Sequence, residues 1–196
     1  MAKTDPASAK KERNKHVKWV VTIFFATMFI SGSISLLSDV LMENSSMGVA
    51  FLILLVIILV GIVFDIIGMA VATADEKPFH SMAARKVPGA LEAIRLLRNA
   101  ERVSSICNDV VGDICGVVSG SASATIAAQI LRNFEFTWPQ IISLLMSALA
   151  AGLTVGGKAI GKSFAVNSCT EIVHGVGRVI HALNNFPKGF RKKKKK

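Results

Sequence analysis

Three cysteines in 196 residues are too few for the disulfide framework of a small secreted domain. Charge is scarce too: 18% of residues are charged, against about 25% in soluble proteins. Acidic residues are the rarer sign, 13 against 23 Lys and Arg. There is no glycine-rich phosphate loop, no zinc-ligand spacing and no convincing serine or cysteine triad, so enzymatic activity is not expected. No internal repeat is visible.

Apolar residues are plentiful, at 52% with a mean hydropathy of +0.51. A chain so apolar, yet with a formal net charge of +10, must keep the two properties in separate segments. A polytopic membrane protein does that. The composition excludes a disordered chain and gives no basis for a nucleic-acid binder.

A bilayer core of roughly 30 Å needs about 20 mainly apolar helical residues. Val17–Met42 is the first such run, although Ser31, Gly32, Ser33, Ser35, Ser38 and Asp39 make its second half small and polar. It is too long for a cleavable signal peptide and lacks a clear cleavage site. Gly48–Thr73 is the strongest, centred on FLILLVIILVGIVF. Val103–Leu131 is long and interrupted by Ser104, Ser105, Asn108, Asp109, Asp113 and Ser119. Trp138–Val155 is the fourth, with Pro139 in a tolerated first-turn position and Trp138 suited to the interface.

The basic residues test this assignment. All 23 except Arg132 fall in the N-terminal tail, the Asp75–Arg102 connection or the segment from Lys158 onward. Four spans put these three segments on one side, and the positive-inside rule makes that side the cytoplasm. Three spans would expose one basic segment outside. The expectation is an all-α polytopic protein of the cell membrane, with four transmembrane helices, both termini cytoplasmic and amphipathic juxtamembrane helices. The amphipathic segments are Phe79–Asn99, broken near Pro88 and Gly89, and Ser163–Phe186. Both suit either the inner leaflet or packing on one another or a partner subunit.

A charge at mid-bilayer costs roughly 2.5–3.5 kcal/mol on insertion scales, so intramembrane aspartates are functional candidates. Asp65 lies late in the second span, and Asp109 and Asp113 are four apart on one face of the third. Asn108 adjoins Asp109, and Ser104 precedes Asn108 by one turn. Carboxylate, amide and hydroxyl oxygens are the ligands that Mg2+ prefers. Lys158 is the nearest basic residue by depth to Asp65, whereas Asp109 and Asp113 have no obvious basic partner. A cation or proton site and plain interhelical hydrogen bonding both remain open for these groups.

Gly112, Gly116 and Gly120 form a doubled small-xxx-small pattern, which suits helix packing or a dimer face. Gly152, Gly156, Gly157 and Gly161 suggest close packing or local unwinding of the last span. Cys107, Cys115 and Cys169 are expected to be inert small hydrophobes. His174 and His181 lack a third ligand and are expected to be solvated or interfacial. Arg191, Lys192, Lys193, Lys194, Lys195 and Lys196 form a polybasic tail suited to anionic lipid headgroups, with no specificity signal for nucleic acid.

The stretch from Phe64 to about Thr170 resembles the transmembrane domain of the CNNM/CorC magnesium transporters. FDIIGMAVATADEKPFHSMA is similar to the family's first helix and its exit, and ALEAIRLLRNAERVSSICND to its basic cytoplasmic helix, LL-x-N-x-E-R segment and polar membrane helix. GGKAIGKSFA is similar to the exit of the last helix. The resemblance implies three membrane helices, a juxtamembrane helix, a homodimer and dehydrated Mg2+ bound by serines and an asparagine, to which Ser104 and Asn108 correspond. It departs at Asp65, where the family has serine, and at Gly68, where it has glutamate. Lys158 replaces a second family glutamate and Gly161 a proline, while Lys162 matches. The family's regulatory CBS pair is not in the sequence, so ATP-dependent gating of that kind is not expected.

The expected organisation is a basic tail (1–16), an added membrane helix with its outer loop (17–47) and a CNNM-like domain (48–162). A juxtamembrane helix (163–186) and the polybasic tail (187–196) complete it. The expected function is handling of divalent cations, Mg2+ first, by a homodimer with Asp65, Ser104, Asn108, Asp109 and Asp113 lining the site. The alternative is a transport-inactive scaffold or accessory protein that binds a partner or lipid.

Overall fold

The computed structural model describes residues 6–43, 45–133 and 138–192, with side chains over 17–42, 45–133 and 138–184. The chain is an all-α polytopic membrane protein, without strands among the described residues. Four helices are long and apolar enough to cross a bilayer: Val17–Met42, Met47–Thr73, Ala100–Asn133 and Pro139–Asn167. Four crossings bring both terminal segments back to one side.

The first span belongs to α1 (Pro6–Glu43), and the second is α2 (Met47–Thr73). Two short helices follow, α3 (Lys77–Ala84) and α4 (Ala90–Leu97). The third span runs through α5 (Ala100–Ser105), a π-helical turn (Ile106–Val111) and α6 (Gly112–Asn133). The fourth is α7 (Pro139–Asn167), and α8 (Cys169–Lys192) closes the chain.

The α3–α4 corner is made by Lys86 at φ 56 and Gly89 at φ 87. Gly89 has a second duty: α8 crosses it closely enough that a Cβ there would collide with the backbone of Gly177 and Arg178. The break after the fourth span lies at Ser168, later than the boundary at 162/163 that the sequence suggests. Lys158, Lys162 and Ser163 look like an exit, yet the helix continues past them. Nor does α7 unwind at its glycines. Gly157 and Gly161 receive Ile62 and Ile66 of α2, while Gly152 and Gly156 meet nothing within 4 Å.

α2 is the hub, packing on α6 and α7, while α1 leans mainly on α6 and α4 on α8. The core has two parts at opposite ends of α2. One gathers Ala50, Leu54 and Ile58 with Met42, Ala122, Ile126, Met146 and Ala150. The other gathers Ala70 and Val71 with Phe79, Ala93, Ile94, Ala165 and Val173. Between them α2, α6 and α7 carry the polar groups of the membrane interior. α1 packs through its small polar face: Ser38 and Met42 are buried, and Thr27, Ser31, Ser35 and Asp39 partly so. The feature that weakened this run as a span is its packing surface.

Candidate functional site

Asp65 stands on the α2 face turned to α7, and Lys158 of α7 reaches back to it. Lys158 Nζ lies 3.4 Å from Asp65 Oδ1, with the two side chains 27% and 19% exposed. Gly112 makes room for the ammonium, since a Cβ there would sit 3.1 Å from Nζ. The pairing expected from depth alone is therefore present. A charged pair taken from water must be mutually compensated, and here it is.

One turn further along α2, Gly68 faces Asn108. A side chain at position 68 would run into Asn108 Oδ1 and come within 2.9 Å of Cys107 Cβ. Asn108 Nδ2 donates to Ser104 Oγ at 3.3 Å. Its Oδ1 is buried without a hydrogen-bond partner and rests against the bare Gly68 backbone. The π turn closes here, with the Gly112 N–H bonded to the Cys107 carbonyl. Such turns insert a residue into a helix and shift its register, often at functional positions.

Asp109 and Asp113 lie on another face. Both are exposed, with Ile106, Val117, Gly120 and Ala124 along the same stripe. Asp109 Oδ2 accepts a hydrogen bond from Ser105 Oγ at 2.8 Å, and neither aspartate joins an ion pair among the described residues. The five candidate ligands thus form two sets within one chain, Asp65, Ser104 and Asn108 inside and Asp109 and Asp113 outside. Among the described residues no three acidic, histidine or cysteine side chains gather closely enough to hold a metal ion. The glycines divide in the same way. Gly112 is buried under Lys158, whereas Gly116 and Gly120 meet nothing within 4 Å.

A further carboxylate escaped the sequence reading. Asp39 of α1 accepts hydrogen bonds from Ser121 Oγ, 3.2 Å from both oxygens, and from Thr125 Oγ1 at 3.1 Å. One turn on, Gln129 Nε2 donates to the Met42 carbonyl at 2.6 Å, which the end of α1 leaves unpaired. The available signal was the spacing of Thr27, Ser31, Ser35, Ser38 and Asp39 on one helical face.

On the terminal side α8 is fastened to the α3–α4 corner. His181 Nδ1 lies 3.0 Å from Glu92 Oε1, and His174 Nε2 donates to the Pro88 carbonyl at 3.2 Å. The hydrogen bond from His181 holds the Glu92 carboxyl below its ordinary value. Glu76 joins α3 to the end of α4 through Arg98 Nε at 3.1 Å. Of the polybasic tail, Lys193 to Lys196 lie outside the described residues, and the side chains of Arg191 and Lys192 are not described.

Comparisons with protein-family models, with curated proteins and with solved structures return no match.

Proposed function

We propose that the chain handles divalent cations, Mg2+ being the ion its ligands suit best, as a homodimer joined through the α5–α6 face of Asp109, Asp113, Gly116 and Gly120. One observation carries this reading. Two carboxylates without a basic partner stand exposed on a membrane-spanning helix, on a face that no other described helix of the chain covers. Such groups face a protein interior or a hydrated cavity, since lipid cannot solvate them. A second copy supplies the cover, and the open glycines let its backbone come close. Two copies also bring four carboxylates together, and a hard divalent cation relieves that repulsion.

The motif resemblance to the CNNM/CorC transmembrane domain points the same way and rests on residues alone. In this reading the cell membrane holds the dimer with both termini in the cytoplasm. The polybasic tail lies on anionic lipid, and the chain moves or binds ions without catalysing a reaction. The test is thermal stability of the purified protein. Millimolar Mg2+ is expected to raise the melting temperature, and Asp109→Asn with Asp113→Asn to remove the gain. No gain in the wild type, together with no Mg2+ flux in liposomes, overturns the reading.

A second reading has its own observation. The Lys158 ammonium occupies the place beside Asp65 where a cation would sit, and Gly68 and Asn108 close on each other beside it. A tethered cation in the interior fits a scaffold or accessory subunit that does not transport. A stable dimer that binds no Mg2+ and carries no flux would favour this second reading.

A further inference from the structure

α8 carries a surface that neither the intramembrane aspartates nor the glycine face uses. It starts after the break at Ser168, where α7 ends. Val173 is buried in one cluster with Ala70 and Val71, in the last turn of α2. Ile180 and Asn184 border the same hollow as Asn99 and Val103, where the third span begins. α8 thus meets the ends of three spans in turn, all on the membrane face that carries both terminal segments. A helix placed so runs along that face rather than away from it.

At 3.6 residues per turn the side chains of α8 divide three ways. His174 and His181 stand toward the α3–α4 corner, on the Pro88 carbonyl and Glu92. Glu171 and Arg178 are exposed on a second, polar side with Gly175 and Ala182. Ile172, Val176, Val179 and Leu183 follow three- and four-residue steps along the remaining flank, turned away from the corner. That flank begins as packing and ends bare. Ile172 packs against the cluster that holds Ala70 and Val71 of α2 and Ala165 of α7, whereas Val179 and Leu183 are 60% and 66% exposed. The stripe therefore continues from the ends of the spans onto uncovered ground at the same level, and what surrounds the spans there is lipid. One apolar flank beside a charged one is the division an interfacial helix shows.

We infer that the second half of α8 lies in the plane of the bilayer, with Val176, Val179 and Leu183 seated among acyl chains beneath the headgroups. The partner is the lipid surface itself, held by apolar burial and without headgroup preference, unlike the polybasic tail, which acts through charge. Because His181 ties α8 to Glu92, the same seating holds the α3–α4 corner against the membrane. The inference needs only that the spans cross the bilayer, so it stands or falls apart from the cation reading.

The experiment places the full chain, with Cys107, Cys115 and Cys169 replaced by Ala, in phosphatidylcholine liposomes. A single nitroxide is attached at Val179→Cys, Leu183→Cys, Arg178→Cys or Ala182→Cys. Power saturation reads its collisions with membrane-soluble oxygen and with a water-soluble nickel chelate. The ratio of oxygen to chelate collisions is expected to be several-fold higher at Val179→Cys and Leu183→Cys than at Arg178→Cys and Ala182→Cys. A second measurement needs only the wild type. In bilayers of phosphatidylcholine with a diazirine on the acyl chain near the glycerol, illumination is expected to attach lipid to Val176, Val179 or Leu183 as well as to the spans, as mapped by mass spectrometry. Equal ratios at the four positions, shielding of Val179→Cys and Leu183→Cys from both reagents as a second copy on this flank would produce, or labelling of the spans without α8 overturns the proposal.

Discussion

The Lys158 ammonium lies 3.4 Å from the Asp65 carboxylate at the level where α2, α6 and α7 converge. Because Gly112 has no side chain, the ammonium also rests on the α6 backbone. One ion pair thus ties three membrane helices at the polar level between the two apolar clusters.

Removing one partner leaves the other charge without compensation. Lys158→Met is expected to destabilise the protein by about 3 kcal/mol, the scale for breaking a buried pair. The double variant Asp65→Leu with Lys158→Met is expected to recover most of that loss. Thermal unfolding in detergent reads both. A double variant no more stable than the single one would mean that the pair does more than cancel charge.

Gly68 and Gly120 answer the same substitution in opposite ways. Gly68→Ala drives a methyl into Asn108 and Cys107, and overpacking of this kind costs about 1–3 kcal/mol. Gly120→Ala meets no atom of its own chain. It should leave the monomer as stable as before and shift the monomer–dimer equilibrium toward monomer, as read by analytical ultracentrifugation in detergent. Equal losses of monomer stability at the two positions would contradict the division between inner and outer glycines.

Asp39 holds α1 to α6 through Ser121 and Thr125. Asp39→Ala strips the Ser121 hydroxyl of its acceptor, while Thr125 Oγ1 keeps the Ser121 carbonyl at 3.2 Å, and is expected to cost about 1 kcal/mol. Asp39→Asn keeps one acceptor oxygen and should cost less. Asp113→Asn removes no contact within the chain, so monomer stability should not fall. Chemical unfolding curves of the three variants test the ranking.

The fastening of α8 depends on pH through Glu92. His181 keeps this carboxyl lower in the folded state than in the unfolded one. Its contribution to stability is therefore complete above the ordinary carboxylate range, roughly pH 4–5, and fades as pH falls through that range. Hydrogen exchange of α8 should quicken as pH drops from 6 to 4 in the wild type. In Glu92→Gln the same drop should change it less. Identical profiles would remove Glu92 from the fastening.

The spans were legible because apolar runs of bilayer length leave little choice, and the Asp65–Lys158 pair because both residues sit at matching depths. The faces of the third span were less legible. A four-residue spacing places Asp109 and Asp113 together, but it does not say whether their shared face turns inward. Ser104 and Asn108 meet as their spacing allows, on the inner side. Asp39 was hidden because its partners lie over 80 residues away and its neighbours looked like defects in a span. The end of α7 was misjudged because lysines near a membrane exit do not stop a helix. Long side chains reach the interface from within it.

Disulfide trapping across the α5–α6 face tests the dimer most directly. Cys107, Cys115 and Cys169 are replaced by Ala, and a single cysteine is placed at Ala124, exposed on the same stripe as Gly120, or, as a lipid-facing control, at Leu144, which is 68% exposed on α7. In proteoliposomes with Mg2+, Ala124→Cys should form a covalent dimer much faster than Leu144→Cys. Asparagine at Asp109 and Asp113 should abolish the dependence of that rate on Mg2+. Equal rates at the two positions, with or without the ion, would contradict a dimer built on this face.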